Sequence, residues 1–378
     1  MEQDTNLNDK LSFIMIIGID ASNIRTGGGK KHLEKFMLNC LEQDKSISFV
    51  IVSNNFVNSS FTEISNIKCI SNLLLNYGSL PSIISQLFIS KYYFTTNQCD
   101  FVFAPGGIFL SRFRPFFTMS QNMLPFDSSS TLNFSLFKKI KFTLIRFLQL
   151  YSFKKSNGVI FLTKYAEKII SNRISKKVKS EIIPHGIFQE ANNSYKIRKD
   201  RFEILYVSDF LPYKNNLNVF LAVKDLIEEG IDIRLTLIGQ KDKKQYKIMK
   251  QILNKNKHLI NKIKILGKLP NNEISKYYKN SSLFIFASLC ENLPFIMLEA
   301  MSFGLPIITT NKSPMKDLVE GTDILFDSNN IDDIKNIIRL NMSDEKLLKM
   351  SKYNFIESKN YSWNQNVIKS LNFFKSNF

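Results

Sequence analysis

Leu283–Asn311 reads LFIFASLCENLPFIMLEAMSFGLPIITTN. Leu283–Ala287 is a short apolar run of the kind a buried parallel strand needs. Ser288–Asn292 reads as a loop, and Pro294–Phe303 as a helix. Pro294 suits the first helical position, where an N–H would go unpaired anyway. Gly304 suits the left-handed residue just past the end. Pro306 and the β-branched run Ile307–Thr310 predict the next strand. The unit is strand–helix–strand, with Glu291 in the loop at the carboxyl end of the first strand and Glu299 inside the helix.

In open α/β sheets, ligands bind in the crevice outside the carboxyl ends of the strands. A helix that starts there turns free N–H groups and the positive end of its dipole toward the ligand, which suits a diphosphate. A carboxylate has two acceptor oxygens and can take both O–H groups of a sugar diol. The stretch therefore suits a group with phosphates in the middle and a sugar at each end, as in a nucleotide sugar.

Glu291 and Glu299 with seven residues between, then Ala300-Met301 and Gly304-Leu305-Pro306-Ile307, resemble the E-x7-E motif of family-4 glycosyltransferases, also described as glycosyl transferases group 1. The resemblance implies the GT-B fold, two Rossmann-like doubly wound α/β domains facing across a cleft, and a retaining hexosyltransferase-type (EC 2.4) enzyme. It further implies that Glu291 contacts the donor sugar and Glu299 the ribose hydroxyls. Asn292, Leu293, Pro294 and Phe295, between the two, join the expected donor-binding set.

The chain has 378 residues, more than one core usually supports. Its hydrophobic content of 44% and charged content of 22% are those of a globular protein. Cys40, Cys69, Cys99 and Cys290 are widely spaced without a CxxC pair, which argues against a disulfide framework or zinc site. Three histidines make a multi-histidine metal centre a poor expectation. Met1–Lys10 is polar, with no secretory signal evident. No stretch reaches the roughly 18 apolar residues of a membrane span. The expected location is cytoplasmic, peripheral on the inner face of the plasma membrane.

Alternating strand and helix signals run through both halves and predict two parallel sheets. Ser12–Ile19 is the first expected strand. A glycine loop, Gly27-Gly28-Gly29, precedes an expected helix over Lys30–Leu41. It lacks Walker A spacing, and His32 stands where a dinucleotide fingerprint needs its third glycine. In the family this loop lies against the donor phosphates and the acceptor, so Gly27, Gly28, Gly29 and His32 are carried over as site residues. Further strands are expected at Ser48–Val52, Phe101–Ala104, Pro115–Met119, Gly158–Leu162 and Glu181–Pro184. Residues 54–97 give no clear pattern. Gln121 and Asn122 stand where many relatives carry a histidine that lines the reaction centre, and are assigned to the acceptor side. His185 resembles the family's boundary between domains.

Leu132–Phe153 predicts one long helix with apolar and basic residues interleaved. From Arg112 to Lys179 the sequence carries 14 basic residues against two acids, Asp127 and Glu167, within a whole-chain balance of +18. Such a helix suits an anionic membrane surface, at about 1 kcal/mol per basic residue near the bilayer. Nucleic acid is the rival partner for a basic patch, and a core helix with outward-snorkelling lysines is the plainer alternative.

Asn192–Asp200 reads as a linker, which sets expected boundaries at 1–191, 192–362 and a terminal helix from Trp363 that packs back on the first domain. Phe202–Val207 and Ile233–Ile238 are expected strands. Lys214, in the loop after the first of them, matches the family's diphosphate lysine. Asp209 replaces the usual arginine, which either brings a negative charge near the phosphates or turns the side chain away. Gly267 and Leu269, after the strand Ile263–Leu266, resemble the loop that contacts the nucleobase.

The leading expectation is a sugar transfer from a UDP- or GDP-linked donor to a saccharide acceptor, lipid-linked, in O-antigen, capsule, lipopolysaccharide or other surface-polysaccharide synthesis. No metal or other cofactor and no nucleic-acid partner are expected. A nucleotide-sugar epimerase shares the fold but wants more acids and histidines in the cleft. A basic nucleic-acid- or membrane-binding protein on an inactive GT-B fold explains the charge but not the acidic pair.

Overall fold

The computed structural model describes residues 15–25, 27–128, 134–240 and 242–378. In the first half, the elements run β1 (Met15–Asp20), α1 (Gly27–Gln43), β2 (Ile47–Val52), α2 (Asn55–Asn58), β3 (Ile67–Ile70) and α3 (Leu73–Asn76). They continue with α4 (Ser79–Phe88), α5 (Ser90–Thr96), β4 (Phe101–Ala104), β5 (Phe116–Ser120), α6 (Leu136–Lys155), β6 (Gly158–Phe161), α7 (Lys164–Ser171) and β7 (Lys179–Ile182). In the second half come β8 (Phe202–Val207), α8 (Asn216–Glu228), β9 (Ile233–Ile238), α9 (Lys243–Lys255), β10 (Ile263–Leu266), α10 (Asn271–Asn280) and β11 (Leu283–Phe286). The chain closes with α11 (Phe295–Ser302), β12 (Ile307–Thr310), β13 (Leu325–Phe326), α12 (Ile331–Leu340), α13 (Asp344–Ser358) and α14 (Trp363–Lys375).

The strands form two all-parallel sheets, ordered β3-β2-β1-β4-β5-β6-β7 and β10-β9-β8-β11-β12-β13. Strand order reverses between β1 and β4 in the first sheet and between β8 and β11 in the second. These are the switch points where adjacent crossovers leave to opposite faces and open a crevice. β4, β6, β11 and β12 are buried along their whole lengths, as strands covered on both faces must be.

Several elements differ from the sequence expectation. The glycines of Gly27–Gly29 form the first turn of α1 and not a loop before it. That turn makes no backward N–H bonds, so glycine costs little there. The buried stripe His32, Leu33, Phe36, Met37 and Cys40 then holds the helix on the sheet. Pro294 is the N-cap of α11 and not its first helical residue. Gly304 does take the left-handed conformation, at φ 70°. The unread run 54–97 contains β3 and four short helices, three of them capped or turned by Asn54, Asn72 and Gly78. The helix expected over 132–153 begins at Leu136 and ends at Lys155; Leu132 and Asn133 lie outside the described residues. So do Ser12, Phe13 and Ile14, assigned to the first strand.

α14 packs on α1, and its Phe374 ring lies 5.2, 5.1 and 4.9 Å from those of Phe101, Phe103 and Phe117 of the first sheet. Aromatic contacts of this kind bury large areas and fix the crossing. At the crossing, a Cβ on Gly186 would stand 2.2 Å from the Trp363 backbone nitrogen. The run 192–200 is irregular but held: Asn193 Nδ2 donates to Ser351 Oγ at 3.0 Å and Tyr195 OH to the Ser282 carbonyl at 3.1 Å.

Gly186→Ala should therefore destabilise the protein by about 1–3 kcal/mol, because backbone must move to admit the methyl group. Gly27→Ala, whose Cβ meets nothing within 4 Å, should be neutral or stabilising by up to about 1 kcal/mol. Denaturant titration of the two variants reads both outcomes.

Candidate active site

The loops after β8 and β11 leave adjacent strands at the second switch point. The first ends in a single 3-10 turn, Pro212–Lys214, then Asn215 in the left-handed region at φ 53°, before α8 starts. The Lys214 carbonyl accepts a hydrogen bond from the buried Tyr206 hydroxyl. The second loop is tied to the first where Leu289 N–H donates to the Tyr213 carbonyl at 2.8 Å. The result is an ion pair between Lys214 Nζ and Glu291 Oε1. Both side chains are mostly buried, at 14% and 15% exposure. Lys214 also sits over the Tyr213 and Phe286 rings, 5.2 and 5.8 Å from their centroids. Burial alone would depress its pKa; Glu291, with the Tyr213 and Tyr206 phenols, outweighs burial and holds the ammonium above its usual range.

A cleft of about 240 Å³ lies between the domains. Its first-domain wall is Gly28, Gly29, His32, Gln121, Leu162 and His185. Its second-domain wall is Glu291, Asn292, Leu293 and Phe295. Across it, Asn292 Nδ2 donates to the Ser120 carbonyl at 2.7 Å, while Asn292 Oδ1 is buried without a partner. Lys31 Nζ stands 3.5 Å from Glu299 Oε1 across the same gap.

The floor of the cleft is a ring stack. His185 lies 5.0 Å from Phe295 at an interplanar angle of 10°, and His32 lies 3.8 Å from His185. Burial drives the His32 pKa down to about 3. Burial, and then the neighbouring His32, drive His185 well below its usual range. Both rings are therefore neutral at physiological pH. His32 Nδ1 is 3.4 Å from Gln121 Nε2; His32 Nε2 and His185 Nδ1 are buried without partners.

The structure brings most of the expected site residues to this cleft. Asn122 is not among its walls: its Oδ1 accepts the Leu124 N–H at 3.0 Å and shapes the loop. Gly267 and Leu269 follow β10, the edge strand of the second sheet, and are not among these walls. Asp209 turns away, its Oδ1 accepting the Gln240 N–H at 3.0 Å. His185 and Leu162 had no place in the expected site. The signal for His185 was its position at the domain boundary, which the fold places on the cleft floor.

Residues 187–357 match the family model described as glycosyl transferases group 1. This match lies in the second half of the chain, from just ahead of the linker through α13. It is 27% identical over 225 residues to the UDP-Gal:alpha-D-GlcNAc-diphosphoundecaprenol alpha-1,3-galactosyltransferase of Escherichia coli, covering 55% of this chain and 57% of that protein. The first curated relatives are covered over 60%, 27% and 41% of their own lengths. In fold, it is similar to the sucrose-phosphate synthase of Thermosynechococcus elongatus, with TM-score 0.73 at 13% identity over 96% of this chain and 98% of that one. It is also similar to Anabaena HepE, solved in complex with UDP and glucose, with TM-score 0.69 at 17% identity over 95% and 99% of the two chains. The fold is GT-B.

Two outcomes follow from the geometry. Lys214→Ala and Glu291→Ala should each destabilise the protein, and the double variant should cost less than their sum by about 1 kcal/mol or more, since each single change leaves an uncompensated buried charge. A double-mutant cycle in denaturant measures that coupling. The two buried neutral histidines bind fewer protons folded than unfolded. Their contribution is fully present above about pH 6.5 and is lost as pH falls toward the folded values. The slope approaches about 1.4 kcal/mol per pH unit for each. His32→Phe/His185→Phe should flatten stability between pH 7 and 5 relative to wild type.

Proposed function

We propose that the protein is a retaining glycosyltransferase that moves a sugar from a nucleoside-diphosphate sugar to a saccharide acceptor. The observation that carries this reading is the Lys214–Glu291 pair at the mouth of a cleft whose opposite wall is Gly28, Gly29 and Gln121. The donor diphosphate lies at the carboxyl ends of β8 and β11, where Lys214 and the N-terminal end of α11 oppose its charge. Glu299, exposed enough at 21% to exchange Lys31 for another partner, takes the ribose hydroxyls. Glu291 contacts the transferred sugar. The acceptor enters beside Gln121 and the His32 ring.

In the transfer, the acceptor oxygen bonds to the anomeric carbon and the bond from that carbon to the diphosphate breaks. The acceptor proton passes to the departing phosphate oxygen, so no side-chain base is required, which suits a cleft floor of two neutral, buried imidazoles. Lys214 stabilises the charge that develops on the leaving group, and the closed domains exclude water that would hydrolyse the donor. The reaction needs no metal or other cofactor.

Support for the donor comes from the UDP bound by HepE, and for a lipid-linked acceptor from the diphosphoundecaprenol named for the E. coli relative. The biological setting is then O-antigen, capsule or lipopolysaccharide synthesis, with the protein peripheral on the cytoplasmic face and α6 in contact with anionic lipid. Among the described residues, no helix is long and apolar enough to cross a membrane.

Release of nucleoside diphosphate from a panel of UDP-, GDP- and ADP-sugars, with acceptor saccharide present, tests the reading. One donor should be turned over. Lys214→Ala should lower kcat about 10²–10³-fold, and Glu299→Ala should weaken binding of that donor and of its free nucleoside diphosphate. Absence of nucleotide binding to the folded wild type would refute it.

A further inference from the structure

Two helices on one face of the first sheet are inside out. α4 buries Ser82, Ser85 and Gln86 and turns Leu80, Ile84, Leu87 and Phe88 to solvent, with Leu80 70% and Phe88 78% exposed. α6 buries Gln149 and Ser152 beside Phe153, and exposes Phe137, Ile140, Leu144 and Phe147. A helix packed on a core in water shows the reverse pattern. α5 adds Tyr92, 66% exposed.

The inverted orientation is locked from inside. Gln86 Nε2 donates to Asp20 Oδ1 at 2.9 Å, to Ser22 Oγ at 2.7 Å and to the Ile108 carbonyl at 3.1 Å. Ser82 Oγ accepts from Arg25, and Ser85 Oγ from Asn72 Nδ2 at 2.9 Å. On α6, Ser152 Oγ accepts the Phe109 N–H at 2.9 Å, and Gln86 Oε1 accepts the Leu110 N–H at 3.2 Å. One segment, residues 108–110, is thus gripped by α4 on one side and α6 on the other. Buried, hydrogen-bonded polar groups are costly to expose to lipid or to leave unpaired, so neither helix can roll its apolar side inward.

The charges on this face share one sign. The sequence from Leu73 to Thr96 contains Lys91 and no acid, and α6 contains six basic residues and no acid. Exposed Arg112 stands in the loop between them. An exposed apolar surface with an all-basic rim fits the acyl boundary and anionic headgroups of a phospholipid leaflet better than it fits another copy of this strongly basic chain.

We propose that α4–α5 and α6 form a single lipid-docking surface, in which α4–α5 supplies an apolar wedge that enters the leaflet and α6 supplies the charge. The inference builds on the reading of α6 as a membrane contact but stands on separate residues. Because Gln86 joins α4 to Asp20 and Ser22 at the end of β1, and the same loop leads into α1 with Gly28 and Gly29 of the cleft wall, the docked face sets the acceptor side of the cleft beside the membrane.

The test is co-sedimentation of the full chain with vesicles of phosphatidylglycerol and phosphatidylcholine, or of phosphatidylcholine alone. The wild type should bind the anionic vesicles, and high salt should weaken that binding without abolishing it, since salt screens charge but not apolar insertion. Leu80→Ser/Phe88→Ser/Tyr92→Ser should lose affinity at least tenfold, keep the wild-type unfolding temperature, and lose its residual binding in salt. Phe88→Trp should shift its emission to the blue and be quenched by brominated lipid, a readout that does not depend on the triple variant folding. Undiminished binding by the triple variant, with loss in Lys138→Glu/Lys141→Glu, would overturn the wedge and leave the α6 contact standing. Binding by neither wild type nor variants would overturn both. A wild-type dimer in solution that the triple variant makes monomeric would assign the face to a second copy instead.

Discussion

Parallel strands all end on one edge, and at a switch point two neighbouring strands send their loops into the same crevice. That constraint brings together Lys214 and Glu291, 77 residues apart in the chain. β8 and β11 are hydrogen-bonded neighbours, so the loops that follow them must meet. The pair is largely buried and therefore sensitive to anything that removes one partner. It also sets a buried ammonium, Lys214, at the switch point, while Asp209 turns away to the Gln240 N–H.

The second switch point acts with the first. The two domains meet through Asn292 on the Ser120 carbonyl, Lys31 near Glu299, Phe295 stacked on His185, and Cys290 packed with Met123 and Phe126. Each joins a cleft-wall loop or helix of one domain to the other. α14 runs back onto the first sheet and adds Phe374 to its core. Large apolar burial sits at this crossing, and the small polar contacts sit at the mouth.

The sequence carried the local structure of the second half clearly. The run Leu283–Ala287, the Pro–helix–Gly punctuation and Ile307–Thr310 correspond to β11, α11 and β12 within a residue or so. Buried parallel strands are short, apolar and bounded by breakers, so they are legible without tertiary information. Residues 54–97 were not, because their helices are short, two of them capped by asparagines, and α4 carries polar residues inward. The outward apolar face of α4 defeats any reading that assumes hydrophobic residues point to the core.

Sequence alone thus determined the two-sheet α/β plan, the acidic pair Glu291 and Glu299 with its flanking helix, and the basic, aromatic character of α6. Those are properties of short windows, where composition and period act directly on the backbone. Only the tertiary structure decided which side chains meet. It paired Lys214 with Glu291, turned Asp209 to the Gln240 N–H, and drew His185 onto His32 and Phe295 on the cleft floor. It left Asn122 bracing its own loop and set the apolar faces of α4 and α6 outward. These outcomes depend on strand order, crossover direction and the hydrogen bonds that lock each helix, which join residues tens to hundreds of positions apart.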